Sequence, residues 1–309
     1  EITALTACPV VRGGTGRRKP KGNMNLRVVH RVGEMQSLSE EIRLSGRSVG
    51  LVPTMGFFHE GHLELMRVAG TLADRVVVSL FVNPTQFGPN EDLAAYPRDL
   101  ERDLAGAESA GVDLLFHPSV EEMYPEGFQT TVHVDRLTRP LCGPFRPGHF
   151  DGVTTVVAKL FHIVKPHVAV FGQKDYQQLT VISRMVQDLD MDVEIVGVPT
   201  VREADGLAMS SRNMYLSEEE REAALCLSRG LDLAQEMVSG GERDAERVRS
   251  AVKALIQKTP FTRIEYVSLC HPDTLEELET IEGEALLAMA VYVGKARLID
   301  NRVLRTTGP

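Results

Sequence analysis

A chain of 309 residues suits one large or two moderate domains, and its 43% hydrophobic and 25% charged residues describe a folding polypeptide with a core, not a disordered one. A formal net charge of −9 and a sequence pI near 5.6 argue against nucleic acid as the main partner, because recognition of a phosphate backbone shows a basic excess. Cys8, Cys142, Cys226 and Cys270 are widely spaced with no Cys-x-x-Cys, which points away from a zinc knuckle or disulfide scaffold and towards a reducing setting. No apolar run reaches membrane-spanning length and no signal-peptide core is seen, so no membrane partner is expected.

In chain order, residues 1–23 hold Gly13-Gly14, Gly16 and the basic Arg17-Arg18-Lys19 without any packing periodicity, and read as a disordered extension. A transit peptide is the rival reading, since such segments are basic and poor in acids, but an amphipathic helix is lacking. Met24 then opens a short strand ending at Val29. Near-continuous apolar runs at 49–52, 75–82, 112–116, 168–171 and 193–198 predict strands covered on both faces. Helices are predicted between them, at about 62–72, 99–110, 153–164 and 176–189. The alternation predicts an α/β fold, a Rossmann-like doubly wound parallel sheet over residues 24–199. From about residue 200 the pattern changes. One long helix with a capping-box start at Ser217 runs to about Val238, Ser239-Gly240-Gly241 breaks the helical pattern, and a further helix covers 244–258. Strands at 264–269, 285–293 and 296–299 complete a smaller C-terminal α+β domain over 200–309.

In a doubly wound sheet ligands bind beyond the carboxyl ends of the strands, and four loops there carry unusual residues. The first, Pro53-Thr54-Met55-Gly56-Phe57-Phe58-His59-Glu60-Gly61-His62, puts two imidazoles three residues apart where a strand turns into a helix. Unpaired amides and the positive end of the helix dipole suit an anion there, although capping or surface histidines give the same spacing. The second, Asn83-Pro84-Thr85-Gln86-Phe87-Gly88, offers amides suited to hydroxyls and carboxylates, or is simply a turn. The third, Gly172-Gln173-Lys174-Asp175-Tyr176-Gln177-Gln178, sets an ammonium at a helix start, where Asp175 reads as an N-cap. In the fourth, which runs from Val201 through Asp205-Gly206-Leu207-Ala208-Met209 to Ser210-Ser211-Arg212-Asn213, two hydroxyls beside a guanidinium make an anion clamp or a cap. Together the four specify a nucleoside triphosphate site with neither a Walker lysine loop nor a Gly-x-Gly-x-x-Gly fingerprint.

As an ordered set, the Pro-Thr-Met-Gly-x-x-His-x-Gly-His run, Asn83-Pro84-Thr85-Gln86-Phe87, Gly172-Gln173-Lys174-Asp175-Tyr176-Gln177-Gln178, the 205–213 run and Arg297-Leu298-Ile299-Asp300-Asn301 closely resemble the pantothenate synthetase (pantoate–β-alanine ligase) family. The His-x-Gly-His element alone would suggest only the wider HxGH nucleotidyl-transferase group. The resemblance runs from about residue 24 to 301. It implies a two-step ligation in which ATP and pantoate give pantoyl adenylate and pyrophosphate, and β-alanine then displaces AMP. His62 would assist pyrophosphate departure with His59 beside it, Lys174 would hold the phosphates, and Ser210, Ser211 and Arg212 would close over them. Met55 to His62, Gly172 to Asp175, Val201 and Met209 would form the rest of the ATP site, while Gln86 and Gln178, with Asn83 nearby, would bind pantoate and β-alanine. The family often has a glutamate where this chain has Gln173, and lacks a counterpart to residues 1–23.

The resemblance also implies Mg2+ with the ATP, a homodimer, and a C-terminal domain acting as a lid. The ion's carboxylate is not identified; Asp99 and Asp103 are candidates, against the plainer reading of acids at a helix start. The 142–150 segment, with Arg146 and His149, reads as a flexible lid facing the substrate. Two rivals stay open: a nucleotidyl-transferase acting on another acceptor, and an ATP-binding regulator without turnover.

Overall fold

The computed structural model describes residues 26–89 and 91–306; the extension expected over 1–23 lies outside the described residues. The chain divides into two compact units, the first taking the described residues up to 134, Arg146–Gln173 and Gln178–Pro199. The second takes Asp135–Phe145, Lys174–Gln177 and the described residues from 200 onwards.

The first unit runs β1 (Arg27–Val29), α1 (Val32–Leu44), β2 (Val49–Thr54), α2 (Glu60–Leu72), β3 (Arg75–Leu80), α3 (Leu100–Ala110), β4 (Leu114–Phe116), the single turn α4 (Val120–Met123), α5 (His149–Val164), β5 (Val168–Gly172), α6 (Tyr176–Asp188, whose first two residues fall with the second unit) and β6 (Glu194–Val198). The six strands are parallel in the order β1-β4-β3-β2-β5-β6, the Rossmann-like doubly wound sheet that the sequence predicts. Its strands read as unbroken apolar runs because both faces are covered. On β5, Ala169 and Phe171 pack on one side with Val153, Leu160, Leu179 and Ile182, while Val168 and Val170 pack on the other with Met66, Ala69 and Ala107. Each Val, Leu, Ile, Phe or Met among them contributes about 1.5–3 kcal/mol on removal from water.

The helix α1 is not among the predicted elements. Its buried stripe is only Met35, Ser39 and Ile42, and its N-cap Arg31 makes no side-chain cap bond, so neither periodicity nor capping chemistry announces it.

Chain order reverses between β2 and β5, the switch point where such sheets open a crevice. The β2–β5 ladder has its last partner pair at Leu51 and Ala169, whereas β2 stays paired with β3 out to Thr54 and Leu80. Pro53, which has no N–H to give, sits where the pairing with β5 has lapsed.

The second unit holds α7 (Glu218–Ala224), α8 (Cys226–Ser239), α9 (Ala245–Gln257), β7 (Thr262–Cys270), β8 (Glu284–Val293) and β9 (Ala296–Arg305), the strands forming an antiparallel sheet in the order β7-β8-β9. The single helix expected from 217 to about 238 is broken at Leu225. Residues 223–228 are all buried, which one regular helix of period 3.6 with a single core-facing stripe does not accommodate. Leu287, Met289 and Val291 of β8 pack with Leu231 of α8 and Val252 of α9, while Leu286 and Ala288 on its other face pack with Leu141 and Cys270, against which Leu137 and Tyr176 lie. That second face explains why Asp135–Phe145 and Lys174–Gln177 group with this unit and not with their chain neighbours.

Candidate functional site

In the first unit, Phe81 and the loop from Asn83 follow β3, while Met55 to His59 follow β2 and lead into α2. Gly56 adopts φ +86°, and a Cβ there would lie 2.9 Å from Asp103 Oδ2 and 3.2 Å from a Leu80 methyl, so only glycine fits. Asp103, 1% exposed on α3, accepts the Phe57 N–H at 2.7 Å through Oδ2 and the Phe58 N–H at 2.6 Å through Oδ1. Burial pushes its carboxyl above the ordinary value, against the downward pull of those two amides. Both oxygens are therefore committed to holding the loop. Asp99, the other candidate for the metal, caps α3 by accepting the Arg102 N–H at 3.1 Å. The two acids shape the backbone.

Phe58 turns its side chain into the core at 4% exposure, and Phe57 lies under the Arg102 guanidinium at 4.5 Å. His59 is the N-cap of α2, Glu60 and Gly61 open its first turn, and the His59 and His62 rings lie 4.1 Å apart. The His59 backbone N–H donates to His62 Nδ1 at 3.3 Å. With Nδ1 as acceptor, the neutral ring carries its proton on Nε2, so His62 holds a directed donor at the start of α2, its own backbone N–H being taken by the His59 carbonyl at 2.8 Å.

Asn83 and Gln86 follow β3 and are 1% and 9% exposed. Asn83 Oδ1 accepts from the Tyr124 hydroxyl at 2.9 Å and from the Thr85 hydroxyl at 2.9 Å, which orients its amide. Its Nδ2 donates to the Gly152 carbonyl and to Gln86 Oε1, each at 3.1 Å. Asn83 is thus spent on the loop, and orients Gln86 so that Nε2 faces Met55 Sδ at 3.2 Å. A thioether is a weak acceptor, readily exchanged for a carboxylate or hydroxyl oxygen. Arg146 and His149, expected on a flexible lid facing the substrate, turn instead onto the Gln86 main chain. Gln178, on α6 after β5, is half-buried; its neighbour Gln177 is the buried one, accepting from Cys142 N and donating to the Leu137 and Pro140 carbonyls.

Gly172 ends β5, and Gln173, Lys174 and Asp175 form a 3-10 turn before α6. In the second unit, Asn301 Nδ2 donates to the Lys174 carbonyl at 2.8 Å. Val201 and Met209 pair through Met209 N–H to Val201 carbonyl at 3.0 Å, closing the loop between them. Ser210 caps the 3-10 helix Ser211–Tyr215 by accepting the Arg212 N–H at 3.3 Å, and Ser211 and Arg212 are half-buried in its first turn. Lys174, Ala208, Ser210, Asn213, Ile299 and Asp300 line one small recess.

Beneath that recess Arg202 forms a two-point ion pair with Asp300, Nη1 to Oδ2 at 2.7 Å and Nη2 to Oδ1 at 2.9 Å, and also donates to the Gly206 carbonyl at 3.1 Å. Asp300 is 2% exposed, so Arg202→Ala leaves a buried carboxylate without its partner and is expected to lower stability by about 3 kcal/mol. The double variant Arg202→Ala, Asp300→Asn should lose less than the single one. Urea unfolding of both checks this; a double variant weaker than the single one would refute it.

The sequence reading missed the supports: Asp103 as a loop cradle, Gly152, Tyr124, and the Arg202–Asp300 pair. Asp300 does lie within the recognised 297–301 run, while the others carry no local signal, because what defines them is a contact far along the chain. Among the described residues no three His, Cys, Asp or Glu side chains gather as a metal site, and no helix is long and apolar enough to cross a membrane.

Known proteins give the family. The family model described as pantoate-beta-alanine ligase matches residues 27–303. The pantothenate synthetase of Syntrophus aciditrophicus is 57% identical over 278 residues, covering 90% of this chain and 97% of that protein. That of Heliobacterium modesticaldum is 59% identical over 279 residues, covering 90% and 99%. Among solved structures, pantothenate synthetase from Thermus thermophilus is similar with a TM-score of 0.84 at 50% identity, covering 89% of this chain and 98% of that one. Pantoate-beta-alanine ligase from Francisella tularensis, solved in complex with beta-gamma ATP and β-alanine, gives 0.73 at 32% identity, covering 90% and 97%.

Proposed function

The chain belongs to the pantoate–β-alanine ligase family and is an ATP-dependent ligase that condenses pantoate with β-alanine to pantothenate; we propose that the reaction runs through a pantoyl adenylate and that the residues described above divide its work. A carboxylate is a poor acyl donor at neutral pH, and adenylation turns one of its oxygens into a good leaving group. The first step brings an anionic carboxylate to an anionic α-phosphate, so the protein's task is to orient the two and neutralise their charge.

The observation that carries this reading is His62, its Nδ1 fixed by the His59 N–H, which leaves the ring proton on Nε2 at the start of α2. Such a donor meets the charge that builds on departing pyrophosphate. Lys174 adds a point charge to the phosphates, and Ser210, Ser211 and Arg212 add hydroxyl and guanidinium donors. Met55, Gly56, Phe57, Phe58, Glu60, Gly61, Gly172, Gln173, Asp175, Val201 and Met209 form the remaining nucleotide contacts in this proposal. Gln86 and Gln178 take pantoate, and the orientation of the Gln86 amide, with Nε2 against a soft sulfur, supports that role. Asn83 acts by holding Gln86.

Mg2+ belongs to the proposal as the triphosphate's companion. Such an ion would need few protein ligands beside the nucleotide, which fits a chain whose Asp99 and Asp103 are engaged by backbone amides. The ion would supply charge neutralisation on the phosphates. For residues 200–309 we propose a lid's role, keeping water from an acyl adenylate. A cytoplasmic location and a homodimer are proposed on family membership.

The test is AMP formation from ATP by the purified protein, with and without D-pantoate and β-alanine. AMP that requires both substrates is the expected result. Nucleotide binding without AMP would favour a regulator, and turnover with a different acid would favour another acceptor.

A further inference from the structure

Resting on the reading that Gln86 binds pantoate, we propose that His149 is a positioning residue for that glutamine, acting through its main-chain carbonyl and fixed in one tautomer by Arg146.

The proton positions follow from the partners. A guanidinium only donates, so the 3.0 Å contact between Arg146 Nη1 and His149 Nε2 makes Nε2 the acceptor. The neutral ring then carries its proton on Nδ1, which donates to the Gln86 carbonyl at 2.8 Å. Arg146 Nη2 gives that same oxygen a second bond at 3.2 Å, so both lone pairs of the carbonyl are used. Arg146 is itself held by Glu91, with Nε to Oε1 at 2.7 Å and Nη2 to Oε2 at 2.6 Å. Burial raises the Glu91 carboxyl, and the Arg146 bonds outweigh it, so that the group stays below its ordinary value and ionised at neutral pH.

The main chain of Gln86 is thus clamped on one side while Asn83 fixes its side-chain oxygen. The Gln86 Nε2 is directed at Met55 Sδ, 3.2 Å away. Removing His149 leaves the carbonyl only the longer 3.2 Å bond from Arg146 and takes away the acceptor of Arg146 Nη1, so the peptide is held less tightly and the amide drifts off its aim. His149 need not touch the substrate for this effect, which sets it apart from a binding group.

Three variants test the assignment on the full chain with D-pantoate, β-alanine and ATP. His149→Ala should raise KM for pantoate about tenfold, the scale of one lost hydrogen bond, with KM for ATP within about twofold. His149→Phe keeps the ring's bulk without the donor and should behave alike. His149→Asn keeps an amide N–H near the place of Nδ1 and should restore most of the pantoate KM. A wild-type pantoate KM in His149→Phe, or equal rises for both substrates together with a lowered melting temperature, overturns the proposal. Gln86→Ala is run alongside. If it leaves the pantoate KM unchanged, the assignment of Gln86 fails; if it raises that KM and the His149 variants do not, only the positioning role fails.

Discussion

Replacing His62 with alanine is expected to lower the rate of AMP formation on the order of a hundredfold or more, the loss seen when one directed donor is taken from a site of developing negative charge. The magnitude follows from geometry that exists before any ligand arrives. The His59 amide already holds Nδ1 at 3.3 Å, so the Nε2 donor needs no reorganisation as the α-phosphate loses pyrophosphate. A donor of that kind acts in the transition state more than in the bound ground state, so the turnover number falls further than KM for ATP rises. His62→Gln, whose Nε2 can replace a ring N–H, should recover part of the loss, and Lys174→Ala should produce a loss of similar size for the same electrostatic reason. Single-turnover measurement of pyrophosphate release separates this step from attack by the amine. Wild-type rates in both alanine variants would remove these residues from the mechanism.

How much of this was legible in the sequence depends on how local the cause is. The five apolar strands could be read because each is buried on both faces by its own residues, and Val76, Val77 and Val78 serve two cores in turn. The loops after β2, β3 and β5 could be read because glycine, proline, histidine and amide side chains mark them whatever surrounds them. The helix α1 was silent because a stripe of three buried residues, one of them Ser39, makes little pattern over thirteen. The break at Leu225 was missed because capping rules describe where a helix starts and say nothing of six consecutive buried residues within it.

Domain membership was the least local property of all. Residues 135–145 and 174–177 lie between strands of the first sheet, and only the contacts of Leu137, Leu141 and Tyr176 with the second sheet assign them elsewhere. The same limit applies to the supports of the site. Asp103 reads as a common helix-start acid, and its value to the His-x-Gly-His loop appears only when Phe57 and Phe58, 46 and 45 positions earlier, bring their amides to it.

Gly152 carries that argument to a test with a reversed sign. It lies in α5, where replacing glycine by alanine in an exposed helix interior gains up to about 1 kcal/mol by propensity. Here a Cβ would stand 2.4 Å from the Thr85 carbonyl oxygen and 2.7 Å from the Gln86 backbone nitrogen, distances no real side chain adopts. Both obstacles are main chain, so neither can swing aside, and the loop must shift by the order of an ångström. The shift breaks the 3.1 Å bond from Asn83 to the Gly152 carbonyl and misdirects the Gln86 amide that Asn83 aims. Gly152→Ala is therefore expected to lower kcat/KM for pantoate on the order of a hundredfold, the scale of a 1 Å misplacement, while KM for ATP changes little. Steady-state kinetics with each substrate varied in turn, beside a melting curve for the variant, decides the matter. If Gly152→Ala melts higher than the parent and keeps its pantoate kinetics, the close approach of α5 to the Thr85–Gln86 peptide does not set the site.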